Sequence, residues 1–600
     1  MAMSTTRKVV LAITGIVLGL VLISFVVVAI FVSALRGEQP SVRDNSVLAL
    51  KISGPLPDYV PDNPLNRIFA TPPQSLSSLL AQFRKAKADK RIRAILLDVD
   101  ASGTGWAKSE ELRAAIQDFR ASGKPVYAYM EMGFNKDYYV AAACDKVYMP
   151  PSGELFITGL AADVMFFRGS LDKLGIYPDI HQIGKYKTAG DMFTQKEMTK
   201  DHRDYINSLL DDLYGRYVDE IAKGRGKSSE DMKKLIDNAP YNSLQAKDAG
   251  LIDGAMYREE VEREIKKGLG YADQDELRIV RAADYRKISQ ESLGLNKGEK
   301  IAVVYAAGDI VSGNSQFGSG GQEVIGSDSM VRLLNEVRDD KTIKAVVLRI
   351  DSPGGEGLAS DIIWRAIESL KAKKPVVVSM SDVAASGGYY IACNANKVVA
   401  QPSTITGSIG VVGGKPVVKG FYDWIGVTNE YVLRGTNAGL FRESEKFSDT
   451  ERAKFQEFLK TTYDDFTSKV AKGRSKDQTY IDSIGQGRVW TGRQGKENGL
   501  VDEYGGLDKA IEIAKQLANI PADKGVQRII RPVPPSLLEQ IFSDDGEAET
   551  VANTPEMQQQ AALLAAMPED VRRTFRYLQM MDRMKSGGAA YLLPYSLRIR

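Results

Sequence analysis

Short apolar runs alternate with amphipathic stretches along most of the chain. The runs at 94–99 (AILLDV) and 345–350 (AVVLRI) are rich in Leu, Ile and Val, which suits strands buried on both faces. The stretches at 109–121 and 360–372 carry apolar residues at helical spacing, and each begins with a serine that suits an N-cap. Further apolar runs follow both stretches. This alternation predicts an α/β fold built on a largely parallel sheet.

The pattern occurs twice. RIRAILLDVD at 91–100 resembles TIKAVVLRID at 342–351, and YYVAAACDKV at 138–147 resembles YYIACNANKV at 389–398. The two members of each pair lie 251 residues apart in both cases. Chance similarity would not keep one register over such a span, so we interpret the chain as two copies of one domain.

The composition and the repeat together predict the domain boundaries. We expect the first repeat at 46–296 and the second at 300–531. The remaining 532–600 begins with a polar stretch that is typical of loose chain, and DVRRTFRYLQMMDRM at 570–584 has the spacing of an amphipathic helix. The tail is therefore predicted to be partly helical.

An uncharged apolar segment lies near the N-terminus. Residues 9–35 contain no charged residue over 27 positions, enough for a helix to cross a hydrocarbon core of about 30 Å. Arg7 and Lys8 precede it, which predicts that the tail 1–8 stays in the cytoplasm. A cleaved signal peptide is the alternative, but its apolar region is normally about 7–15 residues. We predict a single transmembrane anchor in a bacterial inner membrane, with the rest of the chain in the periplasm.

Charge and residue usage exclude several classes of function. Lys and Arg number 79 and Asp and Glu 77, which argues against a general nucleic-acid binder. Two cysteines, Cys144 and Cys393, are too few for a disulfide framework, and we expect both to be buried small residues. With only two histidines a zinc site is not expected either. The sequence predicts no metal and no cofactor.

The two repeats differ in chemistry. After the strand at 345–350, the second repeat continues DSPGGEG, whereas the first has DASGTGW at the equivalent place. The second repeat has Ser386 and Gly387 where the 251-residue offset places Asn135 and Lys136. These serines and glycines are present in one repeat only, which points to a site in the second repeat.

Ser386 is a candidate nucleophile. A small residue at a turn before a packed helix is the common interpretation of Ser-Gly-Gly. Here the serine follows a buried strand, and a second glycine-rich turn, SPGG at 352–355, follows the adjacent predicted strand. Backbone N–H groups of the two turns could together form an oxyanion hole.

A nucleophilic serine needs a base. His181 and His202 both lie in the first repeat, and no Asp-His arrangement stands out. A buried lysine could serve if its pKa fell from about 10.4 toward about 7–8. Lys187, in HQIGKYKTAG, is such a candidate because the second repeat has Asn437 near the equivalent position; Lys185 is its rival.

Three motifs carry a family resemblance. GKYKTA at 184–189, AASGGYY at 384–390 and PSTITGSIG at 402–410, with the N-terminal anchor, resemble the signal peptide peptidase A (protease IV) family in its long, duplicated, membrane-anchored form. The resemblance covers roughly 9–530. It departs at AGDMF after Lys187, where the family carries Glu-Pro before the Phe.

The resemblance implies two tandem Clp protease/crotonase-like α/β domains after one transmembrane helix, and a serine endopeptidase with a Ser-Lys dyad. It implies Ser386 as nucleophile, Lys187 as general base and Ser408 as the residue that orients Lys187. It further implies an oxyanion hole formed by the N–H groups of Gly387 and of Gly355, with Gly354 as the alternative to Gly355. A homotetramer that degrades cleaved signal peptides in the membrane is the expected assembly and activity.

Three other interpretations remain at this point. A penicillin-binding-type enzyme uses Ser-x-x-Lys, which Ser170 and Lys173 match, but so short a pattern arises by chance. A crotonase-type acyl-transfer enzyme would share the fold, since fold does not fix function. A non-catalytic membrane scaffold on a hydrolase fold would be inert toward a serine-reactive probe.

Overall fold

The structure is a computed structural model that describes residues 42–61, 74–101, 103–318, 321–533, 590–592 and 598–599, together with Gly19 and Leu22. Within these residues no helix is long and apolar enough to cross a membrane. Apart from Gly19 and Leu22, the predicted anchor at 9–35 lies outside the described residues, as does the predicted tail helix at 570–584.

The first repeat alternates strands and helices. Its strands are β1 (Ser46–Ser53), β2 (Ile92–Asp100), β3 (Val126–Tyr129), β4 (Met132–Phe134), β5 (Lys146–Met149), β6 (Glu154–Phe156), β7 (Ala162–Asp163), β8 (Tyr177–Ile183), β9 (Tyr241–Asn242), β10 (Gly254–Ala255) and β11 (Ile279–Arg281). Its α-helices are α1 (Leu76–Ala88), α2 (Trp106–Arg120), α3 (Asn135–Ala141), α4 (Arg168–Lys173), α5 (Asp191–Thr194), α6 (Lys200–Gly224), α7 (Ser229–Asp237), α8 (Ser243–Asp248), α9 (Arg258–Gly268) and α10 (Ala282–Arg286).

The second repeat repeats this alternation. Its strands and those of the tail are β12 (Glu299–Ala307), β13 (Asp309–Val311), β14 (Gln316–Gly318), β15 (Gly321–Gly326), β16 (Ile343–Ser352), β17 (Gly354–Glu356), β18 (Val376–Ala385), β19 (Lys397–Ala400), β20 (Ile405–Gly407), β21 (Val411–Val417), β22 (Val489–Thr491), β23 (Glu503–Tyr504), β24 (Val526–Arg531), β25 (Ala590–Leu592) and β26 (Arg598–Ile599). Its α-helices are α11 (Ser327–Asp339), α12 (Gly357–Lys371), α13 (Gly387–Ala392), α14 (Lys419–Ile425), α15 (Asp449–Arg474), α16 (Gln478–Ile484), α17 (Gly492–Glu497) and α18 (Leu507–Leu517).

The central sheets of the two repeats have the same strand order. In the first repeat it is β10-β5-β3-β2-β1-β11, with every pair parallel. In the second repeat β23-β19-β18-β16-β12-β24 pair in parallel in the same succession. Their inner strands are buried almost throughout, as apolar runs with helices on both faces require. The backbone thus carries the duplication that the sequence indicates, in a mixed α/β fold.

The long helices begin earlier than their sequence predicts. Ser109 and Ser360 were expected as N-caps, but α2 and α12 begin three residues before them, after Gly105 and Glu356. Each serine lies in the first turns and its hydroxyl donates to the carbonyl four residues back, at 2.8 Å in both cases. The expected N-cap role is therefore wrong, because the preceding backbone enters the helix without a side-chain cap.

A third sheet joins the repeats and carries part of the tail. Its order is β14-β15-β13-β17-β25-β21-β8, so a strand of the first repeat, β8, lies in a sheet of the second. β8 and β21 are antiparallel over seven registered pairs, from Val411 with Ile183 to Val417 with Tyr177. Residues 590–592 and 598–599 of the tail form the short strands β25 and β26. β8 brings the segment that follows it, which contains Lys187, to the second repeat.

Candidate active site

Ser386 lies at the turn between β18 and α13. It is fully buried, and its backbone has φ 56° and ψ −117°, a conformation that a non-glycine residue adopts only at a cost. Its N–H donates to the carbonyl of Gly407 at 2.8 Å, and its carbonyl accepts from the N–H of Tyr390 at 2.8 Å. Two elements therefore hold the strained turn in place and fix where the hydroxyl points.

Lys187 reaches Ser386 from the other repeat. Its Nζ lies 2.7 Å from Ser386 Oγ, although the two residues are 199 positions apart in the chain. Both side chains are fully buried. The site is therefore composite, with one group from each repeat.

Ser408 is the third member of this group. Its Oγ lies 3.0 Å from Lys187 Nζ, and its carbonyl oxygen accepts from the same amine at 3.1 Å. Ser408 sits between β20 and β21 with φ 51°, and its N–H donates to the carbonyl of Arg488 at 2.7 Å. The contacts of Ser408 fix the amine of Lys187 in direction as well as in distance.

Burial lowers the pKa of Lys187 well below its ordinary value of 10.5. The cause is desolvation, because removing an ammonium group from water disfavours the charged form. A neutral amine at 2.7 Å from a hydroxyl can accept its proton. The arrangement thus has the chemistry of a nucleophile with its base.

Gly487, which sequence reasoning missed, allows this close approach. A Cβ at Gly487 would lie 2.5 Å from the Cα of Lys187, so a larger residue would displace the lysine. Nearby, the N–H of Tyr186 donates to the carbonyl of Gln486 at 2.8 Å. Nothing in the local sequence around Gly487 marks this role, since the contact joins residues 300 positions apart.

The predicted oxyanion residues lie together beside the nucleophile. A Cβ on Gly387 would lie 3.1 Å from both the Cα of Gly354 and the N of Gly355. The N–H of Gly354 already donates to Ser352 Oγ at 3.2 Å. Among the described residues, no side chain accepts from the N–H of Gly355, the other candidate in this turn.

A buried charge cluster joins the repeats behind this turn. Lys108 of α2 places its Nζ 2.8 Å from Asp351, 3.4 Å from Asp382 and 3.7 Å from Asp58. Burial alone would lower the pKa of Lys108, but the carboxylates outweigh it and raise the pKa. Burial, with Asp58 and Asp382 nearby, raises the pKa of Asp351 to about 6. Asp351 is the last residue but one of β16, the strand that leads into the turn, so Lys108 ties the first repeat to the base of the site.

A second buried cation strengthens the same junction. Arg349 is 2 % exposed and lies 2.7 Å from both Asp58 and Glu111 of the first repeat. Burial would lower the pKa of Arg349, but the two carboxylates raise it. The cluster was not found from sequence, because its members are scattered over 300 positions and each resembles an ordinary surface charge.

The rival residues are placed elsewhere. Lys185 is exposed, with its amine 4.7 Å from the centre of the Tyr186 ring. Ser170 and Lys173 are both exposed on α4. Neither Lys185 nor Lys173 has the burial that a lysine base needs.

The histidines have other contacts. His181 Nε2 lies 3.1 Å from Asp179 and 3.2 Å from Arg452, and His202 stacks on Tyr205. Both cysteines are buried and free. Across the described ranges, no three His, Cys, Asp or Glu side chains are grouped so that they could hold a metal ion.

Comparison with known proteins places the chain in a family. The sequence model of peptidase family S49 matches twice, at residues 118–271 and 368–521. The chain is 37 % identical over 509 residues to the chloroplastic serine protease SPPA of Arabidopsis thaliana, covering 84 % of this chain and 74 % of the relative. It is 30 % identical over 474 residues to Protease 4 of Haemophilus influenzae, covering 76 % and 75 %. A protein of Enterococcus faecium named signal peptide peptidase SppA is 32 % identical over 232 residues, covering 38 % and 67 %.

These matches define the class of protein as a serine peptidase. The chain belongs to peptidase family S49 and carries the family's domain twice.

Proposed function

We propose that the protein is an endopeptidase in which Ser386 and Lys187 form a catalytic Ser-Lys dyad. The observation that carries this proposal is the 2.7 Å separation of Lys187 Nζ and Ser386 Oγ in a fully buried setting that lowers the pKa of the amine. A buried lysine with a lowered pKa beside a strained serine has no evident structural use, because an amine in the interior costs stability.

The proposed reaction proceeds through an acyl-enzyme. Lys187 takes the proton of Ser386, and the alkoxide attacks the peptide carbonyl. The N–H groups of Gly355 and Gly387 stabilise the oxyanion of the tetrahedral intermediate. Lys187 then donates its proton to the leaving amine, and water hydrolyses the ester. Ser408 keeps the amine aligned between the two proton transfers.

The substrates we propose are cleaved signal peptides in a bacterial inner membrane. The uncharged segment 9–35 supports an anchor, and Arg7 and Lys8 before it support a cytoplasmic N-terminus with a periplasmic catalytic body. Anchoring would raise the local concentration of membrane-bound peptides. The name of the Enterococcus faecium relative supports the same substrate class. A homotetramer, which the family resemblance suggests, is tested by light scattering of the detergent-solubilised protein.

The decisive experiment is hydrolysis of a fluorogenic, Leu-rich peptide by the full chain in detergent. We expect Ser386→Ala and Lys187→Ala to lose at least about 10³-fold in kcat, as members of a nucleophile–base pair do. Lys185→Ala is the matched control, because it removes an exposed lysine two residues away and should keep full activity. Full activity in folded Lys187→Ala would contradict the dyad. A wild type that cleaves none of a varied set of peptides would favour the non-catalytic membrane scaffold.

A further inference from the structure

One helix of the first repeat, α2, contacts the strands that lead into the candidate active site. Lys108 of α2 places its Nζ 2.8 Å from Asp351 of β16 and 3.4 Å from Asp382 of β18. β16 leads into the turn that contains Gly355, and β18 leads into the turn at Ser386. One buried amine therefore lies between the strand before the candidate oxyanion turn and the strand before the nucleophile.

The pairing of β16 with β18 is irregular at this point. Ser352 is registered with Ala384, whereas the regular continuation of the preceding pairs would place it opposite Asp382. β18 thus contains two extra residues, and such a bulge leaves backbone groups without ladder partners and redirects the strand. The carboxylate of Asp351 accepts from the N–H of Val383 at 3.1 Å inside the bulge. A side chain that Lys108 holds therefore replaces a hydrogen bond of the ladder.

Asp382 ties the same bulge to the start of α2. Its carboxylate accepts from the backbone N–H of Lys108 at 3.0 Å, in the first turn of the helix, where N–H groups have no partner within the helix. A Cβ at Gly105 would overlap this carboxylate, so the residue before α2 must be small for the approach to occur. The end of α2 thus fits a carboxylate from the second repeat.

A second side chain of α2 holds the segment that leads to Ser408. Glu110 accepts from the N–H of Ser403 at 3.0 Å and from its hydroxyl at 2.8 Å. Ser403 lies two residues before β20, and Ser408 directly follows that strand. Gly407, the last residue of β20, accepts from the N–H of Ser386 at 2.8 Å. α2 therefore contacts the chain before each of three groups that the proposed reaction uses.

The lysine of α2 is not a requirement of the domain fold. In α12, the equivalent helix of the second repeat, the 251-residue offset places Ala359 at the position of Lys108. Replacing a buried ion pair by packed apolar residues is often neutral or stabilising, so stability alone does not account for charges at this contact. An ion pair with hydrogen bonds does fix the direction and the distance of the groups it joins.

We propose that Lys108 is a positioning residue for catalysis, which holds Asp351 and Asp382 and thereby sets the placement of the oxyanion turn relative to the nucleophile. The first repeat supplies this alignment in addition to the base, Lys187. Lys108 acts through the two strands and touches neither the substrate nor the reacting atoms. The inference rests on the proposed dyad and oxyanion hole, because it concerns the alignment of those groups.

Kinetics of the full chain in detergent test this role. In Lys108→Met we expect kcat on the Leu-rich peptide to fall about 10- to 100-fold with KM within about twofold, because oxyanion donors act on the transition state rather than on the bound substrate. Lys85→Met removes another buried lysine, one that donates to the carbonyl of Tyr285, and should keep its kcat. Unchanged kcat in Lys108→Met would overturn the proposal, and so would an equal loss in Lys85→Met.

A double variant separates positioning from stability. Lys108→Met/Asp351→Asn removes a carboxylate that has lost its cation, and the asparagine keeps an acceptor for the N–H of Val383. We expect the double variant to regain part of the Tm lost in Lys108→Met but not the kcat, because the neutral pair no longer ties β16 to α2. Recovery of kcat together with Tm would show that Lys108 contributes stability alone. The double variant also carries the kinetic test where Lys108→Met does not fold.

Hydrogen exchange distinguishes failure of this inference from failure of the proposed function. If the wild type cleaves no peptide, the proposed catalytic site fails, and the fixing of the turn is then measured directly. The amides of β17 should exchange at least about tenfold faster in Lys108→Met than in the wild type, and at the wild-type rate in Lys85→Met. Equal exchange of the β17 amides in Lys108→Met and the wild type would reject Lys108 as the residue that holds the turn.

Discussion

Equivalent positions of the two repeats carry side chains that differ in chemistry and in hydrogen-bond partners. In the second repeat Ser386 occupies the turn before α13 and its hydroxyl faces Lys187. In the first repeat Asn135 occupies that position, donating to the carbonyl of Gly159 at 2.7 Å and accepting from Tyr217 at 3.3 Å. One copy of the turn presents a hydroxyl to a buried lysine, and in the other copy the equivalent side chain is engaged in two hydrogen bonds.

The glycine-rich turn shows the same difference. Asp137 of the first repeat, the equivalent of Gly388, accepts from the N–H groups of Ala101 and Phe134. Ala101 is equivalent to Ser352, which opens the candidate oxyanion turn of the second repeat. The first repeat thus has a carboxylate at the position where the second repeat has a glycine packed against the backbone of Ser352.

The largest effect is expected when the carboxylate of Asp137 is introduced at the equivalent position of the second repeat, Gly388. Gly388→Asp should lower kcat/KM by at least about 10³-fold, because a Cβ at this position would lie 2.5 Å from the carbonyl oxygen of Ser352 and displace the oxyanion turn. Peptide hydrolysis measures the loss, and circular dichroism shows whether the fold is kept. Near-normal activity would mean that glycine at 388 does not distinguish the repeats.

The junction between the repeats should be the next most sensitive feature. Lys108→Met leaves the half-buried carboxylates of Asp351 and Asp382 without their cation, and removing one partner of a buried ion pair typically costs about 3–5 kcal/mol. Thermal unfolding should show a clear fall in Tm. The matched control is Lys85→Met, which removes a buried lysine that donates to the carbonyls of Tyr285 and Ile288 away from the junction. An equal fall in Tm for both variants would show that the junction contributes no more to stability than the contacts of Lys85.

Lys187, the proposed base, should make stability depend on pH in a defined direction. Burial lowers the pKa of Lys187 in the folded protein, so between that value and 10.5 the unfolded chain binds one more proton than the folded chain. Stability of the wild type should therefore rise with pH through this window, and activity should rise as the amine becomes neutral. Lys187→Met should be inactive and should be more stable than the wild type near neutral pH.

Thermal unfolding of both proteins at several pH values provides the measurement. The stability advantage of Lys187→Met should shrink as the pH approaches 10.5, because the unfolded chain then loses the same proton. A difference that stays constant with pH would show that Lys187 is charged in the folded protein.

The smallest effect is expected in the turn of the first repeat that is equivalent to the turn at Ser386. Asp137→Ala removes the acceptor for two backbone N–H groups in the first repeat, which costs about 1–3 kcal/mol, while kcat should stay unchanged. Thermal unfolding and peptide hydrolysis of the same preparation separate the two quantities. A large loss of kcat would place Asp137 in the catalytic machinery and end the distinction between an active and a structural repeat.

The pattern of apolar residues in the sequence predicted much of the fold. The apolar runs at 94–99 and 345–350 lie in β2 and β16, and the 251-residue offset corresponds to two sheets with the same strand order. Burial on both faces imposes a continuous apolar run on any sequence that forms such a strand, so the pattern is visible locally. Helix starts were less predictable, because Gly105 and Glu356 enter their helices without the side-chain caps expected at Ser109 and Ser360.

Only the tertiary structure could bring the site together. The sequence identified Ser386, Lys187 and Ser408 as candidates through a difference between the repeats and a family resemblance, but it gave no distance between them. The pairing of β8 with β21 brings Lys187 to Ser386, and Gly487 leaves room for the lysine beside it. These contacts join residues far apart in the chain, and a contact of that kind leaves no periodic trace in the local sequence.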